Sequence, residues 1–222
     1  PGSIEVVAPG VERAFFSPGD RRGARHALGL GSGPMLLFVG RIQPLKGLDV
    51  AVRTLAEIGR SDAQLIVVGG ASGVEGATEL ARVEALIQEL GLVGRVKFYE
   101  PQPHHLLSTF YRAADVVLVP SRSESFGLVA LEAAACGIPV VATAVGGLLN
   151  LIEDGKTGFL VPGRDVSGFA RFTRRLLDDS LLAISMGTAA AHRAQAYSWR
   201  SAALKARSVY TELLERDLVA CS

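Results

Sequence analysis

Six short runs of apolar, mostly β-branched residues recur along this chain, and they limit its possible folds more than any other feature. They are Met35–Val39, Gln64–Val68, Val96–Tyr99, Val116–Val119, Val140–Thr143 and, more weakly, Gly158–Val161. None of them alternates apolar with polar. A strand that is apolar at successive positions has both faces covered, which is the condition of a parallel sheet between two helical layers. The intervening stretches at 48–58, 78–90, 105–114 and 128–135 have helical spacing, and three more helical stretches follow at 166–177, 181–196 and 201–215. Strands alternating with helices in this way imply right-handed crossovers and a doubly wound α/β sheet.

Boundary residues agree with that order. Gly91 is placed to close the helix over 78–90 from the C′ position. Asp165 and Ser180 are N-cap candidates, and Ser198 could cap the last helix. Residues 1–33 read as a leading segment, with a short strand over 4–7, a Pro9-Gly10 break and a short helix near 21–28. The sheet domain is expected over 34–180. Terminal helices over 181–222 pack on it or reach toward another domain.

Composition narrows the function. Of 222 residues 49% are hydrophobic, ample for a buried core and incompatible with intrinsic disorder. Lys and Arg number 23 against 22 Asp and Glu, so neither a nucleic-acid partner nor membrane contact is expected. Cys136 and Cys221 are too few for a disulfide scaffold and lack zinc-site spacing, which fits a reducing, cytoplasmic setting. The first ten residues show no signal-peptide pattern. The most apolar window, 133–149, is broken by Gly137, Pro139, Gly146 and Gly147 and falls short of the ~20 residues a membrane span needs.

Three short motifs fail on context. Gly29-Leu30-Gly31-Ser32-Gly33 precedes a strand where a dinucleotide fingerprint follows one. Gly155-Lys156-Thr157 imitates the end of a P-loop, but Asn150 stands where the upstream glycine belongs. Ser125 lies in Glu-Ser-Phe-Gly, without the complete Gly-x-Ser-x-Gly of a nucleophile elbow. The four histidines have no metal-spaced partners, so no metal site is expected.

Four features carry chemistry. Gly40-Arg41-Ile42-Gln43-Pro44-Leu45-Lys46-Gly47 follows the first strand, where loops of a parallel sheet face the ligand crevice. Arg41 and Lys46 between glycines suit a diphosphate, the guanidinium as a fork and the ammonium as a point charge. Gly69-Gly70-x-x-Gly73 follows the second strand, where glycine permits close backbone approach or simply a flexible turn. Ser123-Glu124-Ser125-Phe126-Gly127 follows the fourth strand and opens an apolar helix, whose first amides and dipole favour an anion. Glu132 is a lone charge among Ala130, Leu131, Ala133, Ala134 and Ala135, either on one exposed stripe or functional. Were Glu124 and Glu132 both helical, they would sit about 12 Å apart along the axis. That exceeds the about 5–9.5 Å of a glycosidase pair.

Together these motifs resemble the family-4 retaining glycosyltransferases. The likeness rests on residues 40–47, on 123–129, on Glu124-x7-Glu132 and on Cys136-Gly-Ile-Pro-Val-Val-Ala-Thr-Ala-Val-Gly-Gly ending at Gly147. It is strongest to the actinobacterial group that transfers N-acetylglucosamine to inositol phosphate. The resemblance implies a GT-B fold, two Rossmann-like domains of which this chain matches the carboxyl-terminal, donor-binding one. The acceptor-binding amino-terminal domain would be absent, and the chain alone inactive.

Position by position, the resemblance gives Arg41 and Lys46 the donor diphosphate and Glu132 the ribose hydroxyls. Glu124 and the backbone of Ser125, Phe126, Gly127 and Leu128 would meet the sugar and the β-phosphate. Gly40 and Gly70 would line the nucleotide site, and Gln102 stands where relatives stack an arginine on the base. The implied partner is a nucleotide sugar, a UDP-sugar or else a GDP-sugar, with no further cofactor. Relatives hold a structural magnesium partly through carbonyls matching Tyr111, Arg112 and Ala114, with a threonine where this chain has Ile138. The expectation here does not extend to that ion. A homo-oligomer stays open. The competing readings are a non-catalytic interaction module and a nicotinamide oxidoreductase domain.

Overall fold

The structure, a computed structural model, describes residues 4–220, so Cys221 lies outside the described residues. The six apolar runs form strands β1 (Met35–Val39), β2 (Gln64–Val68), β3 (Val96–Tyr99), β4 (Val116–Val119), β5 (Val140–Thr143) and β6 (Gly158–Val161). They make one sheet in the order β3-β2-β1-β4-β5-β6, with every pair parallel. The helices are α1 (Arg21–Ala27), α2 (Leu48–Glu57), α3 (Gly76–Glu89), α4 (His104–Ala113), α5 (Leu128–Ala135), α6 (Leu148–Leu151), α7 (Val166–Asp178), α8 (Ser180–Ala194) and α9 (Trp199–Ala220).

Successive residues of each central strand enter opposite cores. Leu37, Ile66, Val117 and Val140 join Tyr111 of α4 and Leu131 of α5 on one face. Leu36, Phe38, Leu65, Val67, Leu118 and Val141 join Leu55 of α2, Val83 of α3 and Phe169 of α7 on the other. This is why the runs do not alternate in sequence. Helix α5 is apolar nearly all round because β4, β5, α4 and α8 surround it. The chain reverses its direction of travel across the sheet between the neighbours β1 and β4, and such a switch point opens a crevice at the strands' carboxyl ends.

At the opposite edge, side chains fasten α1 to the sheet. Asp115 accepts from Met35 N at 2.7 Å and pairs with Arg25 at 2.6 Å and Arg21 at 2.8 Å. Helices α7 and α8 pack on the sheet side of the molecule, α7 against α2 and α8 against α5. Helix α9 leaves the sheet, and Trp199, Leu204, Tyr210, Leu213 and Leu214 on it are exposed.

Two local expectations need correction, and one short helix was not foreseen. Residues 4–7 form no strand, and Ile4 and Val6 stand in solvent. The chain's first sheet-like contact is the Val11–Ser198 bridge, because residues 4–7 have no neighbouring strand edge to pair with. The cap of α8 is Asp179, whose carboxylate accepts from Leu182 N at 2.9 Å, and Ser180 is the first helical residue. The acid one position earlier has the extended backbone that a cap requires. The short helix α6 had no sequence signal, being a single turn after Gly146-Gly147. Asp165 and Ser198 do cap: Asp165 accepts from Gly168 N at 3.0 Å and Ser198 from Ser201 N at 3.0 Å. Gly91 follows α3 in the left-handed region at φ 65°.

Gly187 on α8 faces the turn after α5, where an added Cβ would stand 2.0 Å from the Gly137 carbonyl oxygen. An alanine inside a helix ordinarily stabilises it by roughly 0.5–1 kcal/mol relative to glycine. Here the clash reverses the sign. Gly187→Ala is expected to lower the urea midpoint, by about 1–3 kcal/mol of stability. An unchanged or raised midpoint would contradict the close α5–α8 approach.

Candidate functional site

Backbone contacts beyond the strand ends build the carboxyl edge of the sheet. The β1–β2 pairing continues as Gly40 N donates to Val68 O at 3.0 Å and Ile42 N donates to Gly70 O at 2.9 Å. Gly69 has to be glycine, since a Cβ there would lie 1.9 Å from Gly40 O. Its conformational freedom serves this approach of one backbone to another.

The loop over 40–47 is also joined to the loop after β4. Arg122 N donates to Leu45 O at 2.8 Å. Gly47 sits at φ 75°, and a Cβ there would meet Pro120 O at 2.3 Å. Beneath it Arg164, from the β6–α7 connection, pairs with Asp49 in the first turn of α2, and Asp49 in turn meets Arg82 of α3 at 3.4 Å. The sequence motifs after β1 and after β4 are therefore held as one unit.

Every crossover helix begins at this edge, α2 and α5 among them. Both α2 and α5 have a left-handed glycine as N-cap, Gly47 and Gly127, and neither cap supplies a side-chain hydrogen bond. Their first amides are left for another acceptor, and the positive end of each dipole lies with them.

The expected residues fall into three groups here. Gly40, Arg41, Gly70 and Gln102 line a cleft of about 460 Å³ with Val39, Ser72, Pro101 and Leu107. Arg41 is exposed and has no ion-pair partner among the described residues. The Gln102 amide donates to Glu100 O at 2.8 Å, which fixes its direction.

The second group is Lys46 with Glu124. The ammonium meets Glu124 Oε2 at 2.7 Å, with side chains only 20% and 14% exposed. Ser121 Oγ donates to the same oxygen at 3.5 Å. Glu124 precedes Gly127 and lies outside α5, so spacing along a helix does not describe the two glutamates. Its carbonyl accepts from Gly147 N at 2.9 Å, and a Cβ on Gly146 would sit 2.0 Å from that carbonyl oxygen. Among the next residues, Ser125 and Leu128 are exposed, while the Phe126 ring packs edge-on against Tyr197 at 5.7 Å.

The third group is Glu132 on α5, whose Oε2 accepts from the Tyr111 hydroxyl of α4 at 2.7 Å. Burial pushes the Glu132 carboxyl above the usual carboxylate range, while the Tyr111 hydroxyl and nearby His104 pull the other way. Burial and the adjacent carboxylate also raise Tyr111. Sequence reasoning found Glu132 as a lone charge but missed Tyr111 as its partner, missed Ser121, and saw Gly146-Gly147 without its contact to Glu124. The aromatic hydroxyl in an otherwise apolar helical face was the available signal.

Other cues resolve as local structure. In the P-loop mimic, Lys156 pairs with Glu153 at 2.7 Å and Thr157 Oγ1 accepts from Glu153 N at 2.9 Å. The rings of His104 and His105, at the start of α4, lie tilted against Phe16 and Phe15. Ile138, 5% exposed, lies in the apolar core and brings no oxygen ligand.

Comparison with known proteins follows this geometry. Residues 20–193 match the family described as glycosyl transferases group 1. The chain is 48% identical over 221 residues to a D-inositol 3-phosphate glycosyltransferase of Acidothermus cellulolyticus, covering 96% of this chain and 49% of that protein. It is 48% identical over 206 residues to the enzyme of the same name from Mycobacterium tuberculosis, covering 90% and 42%. The chain thus spans about half the length of the curated relatives it matches. Among solved structures, a sucrose-phosphate synthase from Thermosynechococcus elongatus superposes with TM-score 0.89 at 38% identity, over 100% of this chain and 54% of that one. Anabaena HepE in complex with UDP and glucose superposes with TM-score 0.87 at 26% identity, over 93% and 56%.

The raised Glu132 carboxyl has a thermodynamic sign. The folded chain binds more protons there than the unfolded one, so stability falls as pH rises from the ordinary glutamate value through the raised one. Glu132→Gln keeps an acceptor for Tyr111 and removes the charge. Denaturant midpoints should show this variant more stable than wild type near neutral pH, with the gap closing below about pH 4.5. Tyr111→Phe should instead destabilise at neutral pH, by about 1 kcal/mol or more. A pH-independent gap for Glu132→Gln would contradict the burial of its charge.

Proposed function

The chain belongs to the glycosyl transferases group 1 family, and on that premise we propose that it binds the nucleotide-sugar donor, a UDP-sugar, of a retaining glycosyltransferase that moves a hexosyl group to an acceptor hydroxyl. One observation carries the reading: Arg41, Lys46 and the uncapped starts of α2 and α5 converge on one edge of the sheet. Two cations and two sets of free amides fit a diphosphate better than any neutral ligand. The solved Anabaena HepE complexes with UDP and with UDP-glucose support UDP over GDP as the first ligand to try.

In this reading the base enters the cleft bounded by Gly70, Pro101 and Gln102, and the ribose hydroxyls reach Glu132. Arg41 and Lys46 hold the diphosphate and offset the charge that grows on it as the glycosidic bond breaks. Glu124 and the backbone from Ser125 to Leu128 meet the sugar and the β-phosphate. The donor phosphate helps to deprotonate the acceptor on the same face of the sugar, so no covalent nucleophile is needed. Cys136 would be a poor one, since burial pushes its thiol up to about 12. The reading calls for no cofactor beyond the donor.

In this reading the acceptor is bound by the part of the relatives' length that this chain does not span. Its presence would cover the apolar side chains now exposed on α9 and over residues 4–7. No described helix is long and apolar enough to cross a membrane.

Calorimetric titration of the chain with UDP, GDP and uridine tests the reading. UDP is expected to bind tighter than GDP. Arg41→Ala and Lys46→Ala should each weaken UDP by roughly tenfold or more, the scale of a charge-assisted hydrogen bond, and leave uridine nearly unchanged. Equal losses for UDP and uridine, or no UDP binding at millimolar concentration, would overturn it.

A further inference from the structure

The two cations of the site differ in their partners. Arg41 is exposed and unpaired among the described residues, whereas Lys46 is already held by Glu124 at 2.7 Å. Both side chains of that pair are largely withdrawn from solvent, so the contact is only weakly screened. Lys46 cannot meet an incoming phosphate at full strength while it stays on the carboxylate.

The backbone of Glu124 is held by main-chain neighbours, and its side chain by other side chains. Gly147 N and the close approach of Gly146 hold the Glu124 carbonyl. Among the described residues the carboxylate has Lys46 and, at 3.5 Å, the Ser121 hydroxyl. A diphosphate that takes Lys46 leaves this carboxylate in a part-buried place with one weak partner. An unpaired charge there is costly, and a carboxylate is readily satisfied by two neighbouring hydroxyls.

We propose that Glu124 makes the site selective for a sugar-bearing donor over the bare nucleoside diphosphate, by occupying Lys46 until a ligand supplies both a phosphate for the ammonium and sugar hydroxyls for the carboxylate. This rests on the donor-binding reading above. Free UDP displaces Glu124 and returns nothing to it. A UDP-sugar exchanges one ion pair for two new contacts. Once the sugar has left, Glu124 recaptures Lys46 and hastens departure of the spent diphosphate.

The experiment is titration of the chain with UDP and with UDP-glucose, for wild type, Glu124→Gln, Lys46→Met and the double variant. Wild type should bind UDP-glucose tighter than UDP. Glu124→Gln should tighten UDP by roughly three- to tenfold and bring the ratio of the two affinities toward one. In the Lys46→Met background the same substitution should give no such gain, because no lysine remains to be released.

A gain that persists without Lys46 would be simple loss of charge repulsion, and would overturn the proposal. So would unchanged or weaker UDP binding by Glu124→Gln. Should Glu124→Gln fail to melt cooperatively, Glu124→Ala is read against the same criteria. A wild-type chain that binds neither ligand refutes the donor-binding reading itself. A wild type that binds both while Glu124→Gln changes nothing refutes only the exchange.

Discussion

A parallel strand buried on both faces cannot turn back on itself. The next parallel strand can be reached only through a crossover, and the crossover has to bring a helix to one face or the other. In this chain Leu36 and Leu37, neighbours in sequence, lie in opposite cores, and the same holds for Leu65 with Ile66 and Val116 with Val117. Everything at the site follows from that burial. Each connection leaves its strand at the carboxyl edge, so helix starts gather there with their positive dipole ends. The reversal between β1 and β4 divides those connections and leaves a crevice between them.

The sequence made the strands and the polar residues of the site legible for different reasons. The strands were visible because two-sided burial removes alternation, and all six runs coincide with strands. Arg41, Lys46, Glu124 and Glu132 were visible because charges beside glycines or inside apolar runs need an explanation. Their partners were not visible. Tyr111 lies 21 positions before Glu132, and Lys46 lies 78 before Glu124. A separation of that size becomes contact only through sheet order, which one sequence does not display. The misplaced cap at Ser180 and the absent strand over 4–7 have a common cause. Capping and pairing depend on what a neighbour offers, whereas local pattern reports only what a residue prefers.

Several features of the site work against stability. Glu132 carries a carboxylate into a place that disfavours its charge, two helices begin on a left-handed glycine instead of on a capping side chain, and Lys46 with Glu124 form an ion pair withdrawn from water. Residues that break local rules in this way are expected where function constrains the chain. The two apolar cores on either side of the sheet offset them, and α1, α7 and α8, well capped by Asp20, Asp165 and Asp179, show the ordinary rules at work away from the crevice.

The two edges of the sheet are built from different materials. At the amino edge, geometry depends on particular side chains: Asp115 on Arg21 and Arg25, and Arg95 on the carbonyls of Ala63 and Arg60. At the carboxyl edge it depends chiefly on main-chain bonds, Gly40 to Val68, Ile42 to Gly70 and Arg122 to Leu45, with glycine required where two backbones touch and the Arg164–Asp49 pair beneath. A main-chain bond persists whatever side chain its residue carries. Descendants of such a chain can therefore rewrite the residues around the glycines of the crevice, and with them ligand preference, while inheriting the loop shapes intact. Drift at the amino edge has less of this freedom, because a change at Asp115 or Arg95 removes the bonds that its side chain makes.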